Sequence, residues 1–156
     1  MATNVFTPIR LFTVDDANAS LPLVRAITRD LVRVSADLLD RRERLHALLS
    51  GRKLKSGDLY DDELTLMEDE LKRDAGLIES YINELVELGI ETKSAVDGVL
   101  DFPSMLNGCQ ACLCWKLGEE TVAYWHEPHT PYETRRLIAD PSGTETLVKS
   151  AKESLA

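Results

Sequence analysis

The chain has 156 residues, a length suited to one domain with its own hydrophobic core. Its formal net charge is −9, and its basic residues are interleaved with acidic ones, so we expect no nucleic-acid partner. No apolar run approaches the roughly 18 residues of a membrane span, and no secretion signal opens the chain, so we expect no membrane partner either. The odd count of 3 cysteines favours free thiols in a reducing cytoplasm.

The first predicted element is a long helix over residues 13–50. Thr13 can cap its N-terminus, and Asp16 holds the capping-box position three residues later. Pro22 lies inside this region, so we expect it to bend the helix or to restart it near Ser20. Apolar residues then recur at alternating steps of three and four, which is a heptad seam. The positions of this seam are Val24, Ile27, Leu31, Val34, Leu38, Leu45 and Leu48, and Arg41 takes the missing place.

A second heptad seam predicts a helix over residues 61–89, after a short polar stretch. Gly89 is placed to end it. Two seams joined by a short loop predict a long antiparallel helical hairpin. In the register that aligns the two seams, Arg41 and Asp74 occupy neighbouring layers, and we predict that they meet as an ion pair. The positions of the second seam are Leu64, Met67, Leu71, Ile78, Tyr81, Leu85 and Leu88, with a break at Asp74.

Residues 90–127 predict a small antiparallel β-sheet. Its strand candidates are residues 90–93, 99–102, 109–117 and 121–127. Asp97-Gly98 marks a turn, and Pro103 is expected to break the chain. Residues 128–141 read as a loop, and a capping box predicts a C-terminal helix over residues 142–156. The whole chain is therefore predicted to be a single α+β domain, in which the hairpin packs with the sheet and the last helix.

The strand that contains Cys112 and Cys114 has one apolar face. That face comprises Ala111, Leu113, Trp115 and Leu117, and we predict that it belongs to the core. A three-residue loop at Gly118 places Cys112 opposite His126, whereas a two-residue turn places it opposite Trp125. Only the first register gathers thiols and imidazole on one face, where they suit metal binding or a nucleophilic Cys114 activated by His126.

Cys109 and Cys112 match the C-x-x-C spacing by letter, but their place on a strand argues against shared chemistry. Side chains at positions i and i+3 of a strand point to opposite faces, which opposes both a disulfide and chelation. The wider set of Cys112, Cys114, His126 and His129 matches no zinc module in its spacing. We therefore expect no bound metal and no cofactor.

A family resemblance covers most of the chain, weakly in the helices and strongly after Leu88. Its motifs are Asp101-Phe102-Pro103, Leu113-Cys114-Trp115, Gly118-Glu119, Trp125-His126 and Arg135. With these motifs the chain resembles DUF2203, a family of small, mostly bacterial proteins of unknown function. The resemblance implies no established activity. Family members commonly carry glycines between the histidine and the arginine, where this chain has Pro131 and Thr134.

Two functional hypotheses follow. In the first, this is a non-enzymatic cytoplasmic protein whose helical hairpin mediates self-association as a dimer, or binding of a protein partner, because leucines flanking the seams need cover. In the second, the β-region carries a small-molecule, metal-binding or enzymatic site built around Cys114, Trp125, His126 and Arg135. The candidate ligand-binding residues are Asp101, Cys114, Glu119, Trp125, His126 and Arg135.

Overall fold

The computed structural model describes residues 10–51 and 58–138, in which two helices precede an antiparallel sheet of five strands. The helices are α1 (Val14–Gly51) and α2 (Asp58–Glu87), and the strands are β1 (Glu91–Ser94), β2 (Val99–Leu106), β3 (Cys109–Lys116), β4 (Tyr124–His126) and β5 (Arg136–Leu137). The strands lie side by side in chain order. The α+β class is therefore confirmed. The C-terminal helix predicted over residues 142–156 lies outside the described residues.

α1 begins where the sequence predicts, and Pro22 does not interrupt it. The backbone N–H of Thr13 donates to Asp16 Oδ2 at 3.1 Å, and the N–H of Asp16 donates to Thr13 Oγ1 at 3.0 Å, which completes a capping box. The predicted restart near Ser20 is wrong, because α1 runs unbroken through Pro22. The proline is exposed, so water can hydrate the carbonyl that it leaves without a helical donor.

α1 and α2 pack against each other, and a charged contact joins them midway. The Arg41 guanidinium donates to the carboxylate of Asp74, and its Nε lies 3.6 Å from Glu70 Oε2. The predicted ion pair is therefore confirmed. The hydrogen bond to Asp74 raises the pKa of Arg41. Since Asp74 is buried, Arg41 supplies the counter-charge that its carboxylate would otherwise lack.

We expect Arg41→Leu to lower the free energy of unfolding more than the double substitution Arg41→Leu with Asp74→Leu. The single substitution leaves the buried carboxylate of Asp74 without its counter-charge, whereas the double substitution removes that carboxylate as well. Urea denaturation of the four proteins of this cycle measures the coupling. Arg44→Leu, which breaks an exposed pair with Asp40, is the matched control and should change stability little. Additive effects of the two substitutions would contradict the prediction.

One face of the sheet packs against the helices and forms the core. The fully buried members of this core include Leu31 and Leu85 from the helices and Leu100, Phe102, Leu113 and Trp115 from β2 and β3. The predicted core position of Trp115 is thus confirmed. Because successive side chains of a strand alternate between faces, Asp101 and Cys114 turn to the opposite side of the sheet.

β2 is longer than expected, since it runs through Pro103 to Leu106. β1 pairs with β2 only as far as Asp101. Pro103 therefore lies beyond β1, where no neighbouring strand on that edge needs a backbone N–H donor. Its carbonyl accepts a hydrogen bond from the backbone N–H of Phe12 at 2.7 Å. The chain then reverses at Asn107-Gly108, whose φ angles of 54° and 77° suit the two central residues of a type I′ turn.

The predicted loop over residues 128–141 contains local structure. Tyr132–Thr134 forms a short 3-10 helix, and β5 follows it. β5 pairs Leu137 with Tyr124 and Arg136 with Trp125, so it covers the outer edge of β4. An unpaired strand edge would leave backbone groups without partners, which explains why a short strand forms there.

Candidate functional site

The face of the sheet turned away from the helices gathers Asp101, Cys114 and His126. β3 and β4 pair in the first of the two predicted registers, with Cys112 opposite His126 and Cys114 opposite Tyr124. On the other side of β3, Asp101 of β2 lies opposite Cys114. Residues directly opposite each other in antiparallel strands share a face, so three neighbouring strands each contribute one side chain.

These three side chains form a compact, buried cluster. They are at most 4% exposed, and their potential ligand atoms lie within 4.8 Å of one another. His126 Nε2 lies 3.0 Å from Asp101 Oδ1. The other carboxylate oxygen, Oδ2, accepts no hydrogen bond from the described residues, and the Nζ of Lys93 lies 3.9 Å from it. One buried oxygen therefore has unused capacity to bind a ligand.

A backbone carbonyl orients the ring of His126. Its Nδ1 lies 2.7 Å from the carbonyl oxygen of Glu127, which can only accept, so this contact assigns a hydrogen to Nδ1. The same oxygen accepts the hydroxyl hydrogen of Thr130 at 2.6 Å, and the threonine oxygen lies 3.2 Å from Nδ1. Nε2 is left to face Asp101, and the 3.0 Å contact there requires one proton shared between nitrogen and carboxylate.

Burial dominates the electrostatics of the cluster. It raises the pKa of Asp101, against the opposing effect of the hydrogen bond from His126. Burial, and then the negative charge of Asp101, raises the pKa of the Cys114 thiol to about 12. A nucleophilic cysteine requires a lowered pKa, so the arrangement does not favour Cys114 as a nucleophile activated by His126. A thiolate at this position needs a bound cation.

Glu119 and Arg135 meet beside the cluster. Arg135 Nη1 donates to Glu119 Oε1 at 2.9 Å, and the same oxygen accepts a backbone N–H of β3 at 2.7 Å. The guanidinium carbon lies 3.9 Å from the ring centre of Tyr124 and 4.2 Å from that of Tyr132. These contacts hold Arg135 near Cys114, where its positive charge opposes the rise in the thiol pKa.

The cluster lies at the base of a cleft of about 660 Å³, a volume that suits a small molecule. Strand residues line part of the cleft, and residues 129–133 line the rest. Besides the cluster, the lining residues are Lys93, Ser94, Asp97, Val99, Lys116, His129, Thr130, Pro131, Tyr132 and Glu133. Charged groups of both signs therefore surround the entrance, and the ring of Tyr132 adds an apolar wall.

Five of the six candidate ligand-binding residues lie in or beside this cluster, and Trp125 is the exception. Trp125 pairs with Leu113, on the face of the sheet that packs against the helices. Its ring contacts the hydrophobic core, and the guanidinium carbon of Arg136 lies 5.4 Å from the ring centre. Alternation along β4 thus turns Trp125 away from the cleft and His126 toward it.

The sequence analysis missed Lys93 and Thr130. Lys93 lies two residues after Glu91, which pairs with Asp101. The predicted turn at Asp97-Gly98 indicates that the strands on either side of it pair, and this pairing brings Lys93 close to Asp101. The register shifts between Thr92 and Ser94, however, and such an irregularity has no clear signal in the sequence. For Thr130 the signal was its position at the end of a turn that begins directly after His126.

The fold and the cleft define an α+β protein in which a helical pair backs one face of an antiparallel sheet and a polar cluster occupies the other. The chain belongs to the DUF2203 family, described as an uncharacterized conserved protein, whose model matches residues 10–138. That range includes both helices, all five strands and every residue of the cluster. No curated protein and no solved structure matches the chain. Neither helix, over the part of the chain that the structure describes, has the length and apolarity to cross a membrane.

Proposed function

We propose that Asp101, Cys114 and His126 bind a divalent transition-metal ion, with Zn²⁺ as the best match. Carboxylate oxygen, thiolate sulfur and imidazole nitrogen are the three ligand types that zinc takes from proteins. Zinc bond lengths place the ligand atoms of a tetrahedral site roughly 3.3–3.8 Å apart. The Asp101–His126 contact of 3.0 Å, and the 4.8 Å limit for the whole cluster, lie close to that spacing.

The orientation of His126 is the observation that carries the proposal. Histidines that bind metals usually donate the other ring N–H to a carbonyl or a carboxylate, which fixes the tautomer. His126 has this arrangement, since Nδ1–H donates to the carbonyl of Glu127 while Nε2 faces the cluster. The Oδ2 of Asp101, which accepts no hydrogen bond from the described residues, then gains a role as a ligand or as an acceptor for metal-bound water.

The sequence-based expectation of no bound metal rested on the diverging side chains of Cys109 and Cys112. The proposed site uses neither of them. It uses Cys114, whose counter-charges come from the metal ion and from the nearby Arg135. A bound cation removes the thiol proton that burial otherwise retains, so the metal and the thiolate stabilise each other.

Metal titration of Cys114→Ser tests the proposal. Loss of a ligand should weaken Zn²⁺ binding by more than about 100-fold, since changes to surrounding residues alone cost about 10–100-fold. Replacing zinc by Co²⁺ should give the wild-type protein a thiolate-to-cobalt charge-transfer band that the variant lacks.

Cys112→Ser is the matched control for this titration. Cys112 lies opposite His126, and burial raises the pKa of its thiol to about 12 as well, but it is not part of the cluster. The control should keep both the affinity and the cobalt band. Equal losses in the two variants, or a wild-type protein that binds no Zn²⁺ in the titration, would contradict the proposed site.

A second candidate function is self-association of the predicted helical hairpin through its heptad seams. Leu39, Leu49 and Leu66 are exposed, and the core that joins helices to sheet draws on α1 only up to Leu31 and on α2 only from Ile78 onward. The far part of the helical pair thus lacks cover from the sheet.

The charge pattern of the two helices supports a second copy of this chain as the partner that packs on the exposed far part of the helical pair. Residues 40–44 of α1 contain three arginines and two acidic residues, whereas all six residues of 61–63 and 68–70 in α2 are acidic, so the net positive stretch of α1 in one copy complements α2 of another. Such a non-enzymatic dimer suits a reducing cytoplasm, since all three cysteines are free thiols. Light scattering over a concentration series tests the dimer. A constant monomer mass would argue against it, and co-purification of another protein would favour a partner instead.

A further inference from the structure

We infer that His129 supplies the fourth protein ligand of the proposed metal site, an inference that rests on the proposed function. Three ligands leave one position of a tetrahedral ion open. His129 lines the same cleft as Asp101, Cys114 and His126. A neutral imidazole is a common zinc ligand, so it would complete a Cys-His-His-Asp set.

The backbone of His129 is held in an unusual conformation. Its φ of 65° lies in the left-handed region, which only one other non-glycine residue enters within residues 10–51 and 58–138. That other residue, Asn107, belongs to a hairpin turn that favours asparagine. His129 instead takes the third position of a turn over residues 127–130, closed by a hydrogen bond of 3.4 Å from the Thr130 N–H to the Glu127 carbonyl.

This turn has the pattern of a type II turn, with Pro128 in second place, and its third position strongly favours glycine. A histidine there is strained, and strain of this kind persists where function requires it. The ring makes no hydrogen bond or ion pair with another described residue, so no structural contact accounts for a histidine at this position. Metal ligation would account for it.

The same turn fixes both histidines. The carbonyl of Glu127 closes the turn and also accepts the Nδ1–H of His126, so the orientation of one ring is tied to the backbone that carries the other. Pro128 restricts the backbone between them. The side chain of His129 is exposed, so it can rotate about its own bonds toward the ion while the backbone stays in place.

Two carboxylates of the cleft lining are competitors for the fourth position. The Asp97 carboxylate already accepts a hydrogen bond from the Ser94 hydroxyl at 3.3 Å, and the backbone N–H of Asp97 donates to the Ser94 hydroxyl oxygen at 3.1 Å. Glu133 lies in the short 3-10 helix Tyr132–Thr134, which follows the turn of residues 127–130 and does not include the residues that orient His126. His129 is therefore the better-placed ligand, and substitutions of the two carboxylates are included in the test.

His129→Gly is the informative variant, because glycine adopts the turn conformation without strain and should not impair folding. Without metal, we expect the variant to melt at or above the wild-type temperature, while its Zn²⁺ affinity falls by more than about 100-fold, as for any lost ligand. In the Co²⁺ protein, the charge-transfer band from Cys114 should remain and the ligand-field bands should change. His129→Asn, which also tolerates the left-handed region, should behave in the same way.

His46→Gln is the control, since His46 lies on α1 and outside the cleft. A Zn²⁺ affinity of His129→Gly within about threefold of wild type, where a lost ligand predicts a loss of more than about 100-fold, would overturn the inference and leave the fourth position open. A selective loss in Asp97→Asn or Glu133→Gln would also overturn it. If the wild-type protein binds no Zn²⁺, the proposed function itself fails and this inference falls with it.

Discussion

Trp115→Ala should lower the free energy of unfolding by about 3–5 kcal/mol, the usual cost of truncating a buried aromatic side chain. The ring is fully buried between the sheet and the helices. Its Nε1–H donates to the backbone carbonyl of Glu119 at 3.0 Å, so truncation leaves a cavity and removes the donor from that carbonyl. Urea denaturation followed by circular dichroism measures the change.

Two other substitutions separate packing from hydrogen bonding. Trp115→Phe keeps an aromatic ring but loses the indole N–H, so it should cost only about 1–2 kcal/mol. Trp125→Ala truncates a ring that is only partly buried, and should cost less than Trp115→Ala. A loss below about 1 kcal/mol for Trp115→Ala would contradict the core position that the structure gives this ring.

Local signals in the sequence predicted the main elements well. The capping box of Thr13 and Asp16 gave the start of α1 because it depends only on neighbouring residues. Pro22 and Pro103 were misjudged for a common reason. Whether a proline interrupts a helix or strand depends on the surroundings of the backbone N–H that it lacks. The exposure of Pro22 and the unpaired strand edge at Pro103 become visible only in the three-dimensional structure.

The candidate site was predictable only in part. The alternation of side chains along β3 predicted that Cys114 lies on the face opposite the core. The register of β3 and β4 that pairs Cys112 with His126 was one of two alternatives that the sequence left open. Asp101 was named from the family motif, not from geometry, because its contact with His126 spans β3 and depends on two strand pairings at once. The orientation of the imidazole by the Glu127 carbonyl has no counterpart in the sequence pattern.

The affinity of the proposed site for Zn²⁺ should rise steeply with pH. Metal binding displaces the proton of the Cys114 thiol, whose pKa burial raises to about 12. Lowering the pH adds protons to the atoms that must hold the metal, so acid weakens binding and alkali strengthens it.

The slope of log affinity against pH equals the number of protons released, so the thiol proton of Cys114 alone predicts a gain of about 10-fold from pH 6 to pH 7. Calorimetric titration in buffers of different ionisation enthalpy counts the same protons, and should give at least one per Zn²⁺. Cys114→Ser has no thiol proton to lose, so its residual binding should release about one proton fewer than that of the wild-type protein. An affinity that does not change with pH would mean that zinc binds at exposed carboxylates, because those groups are already deprotonated across this range.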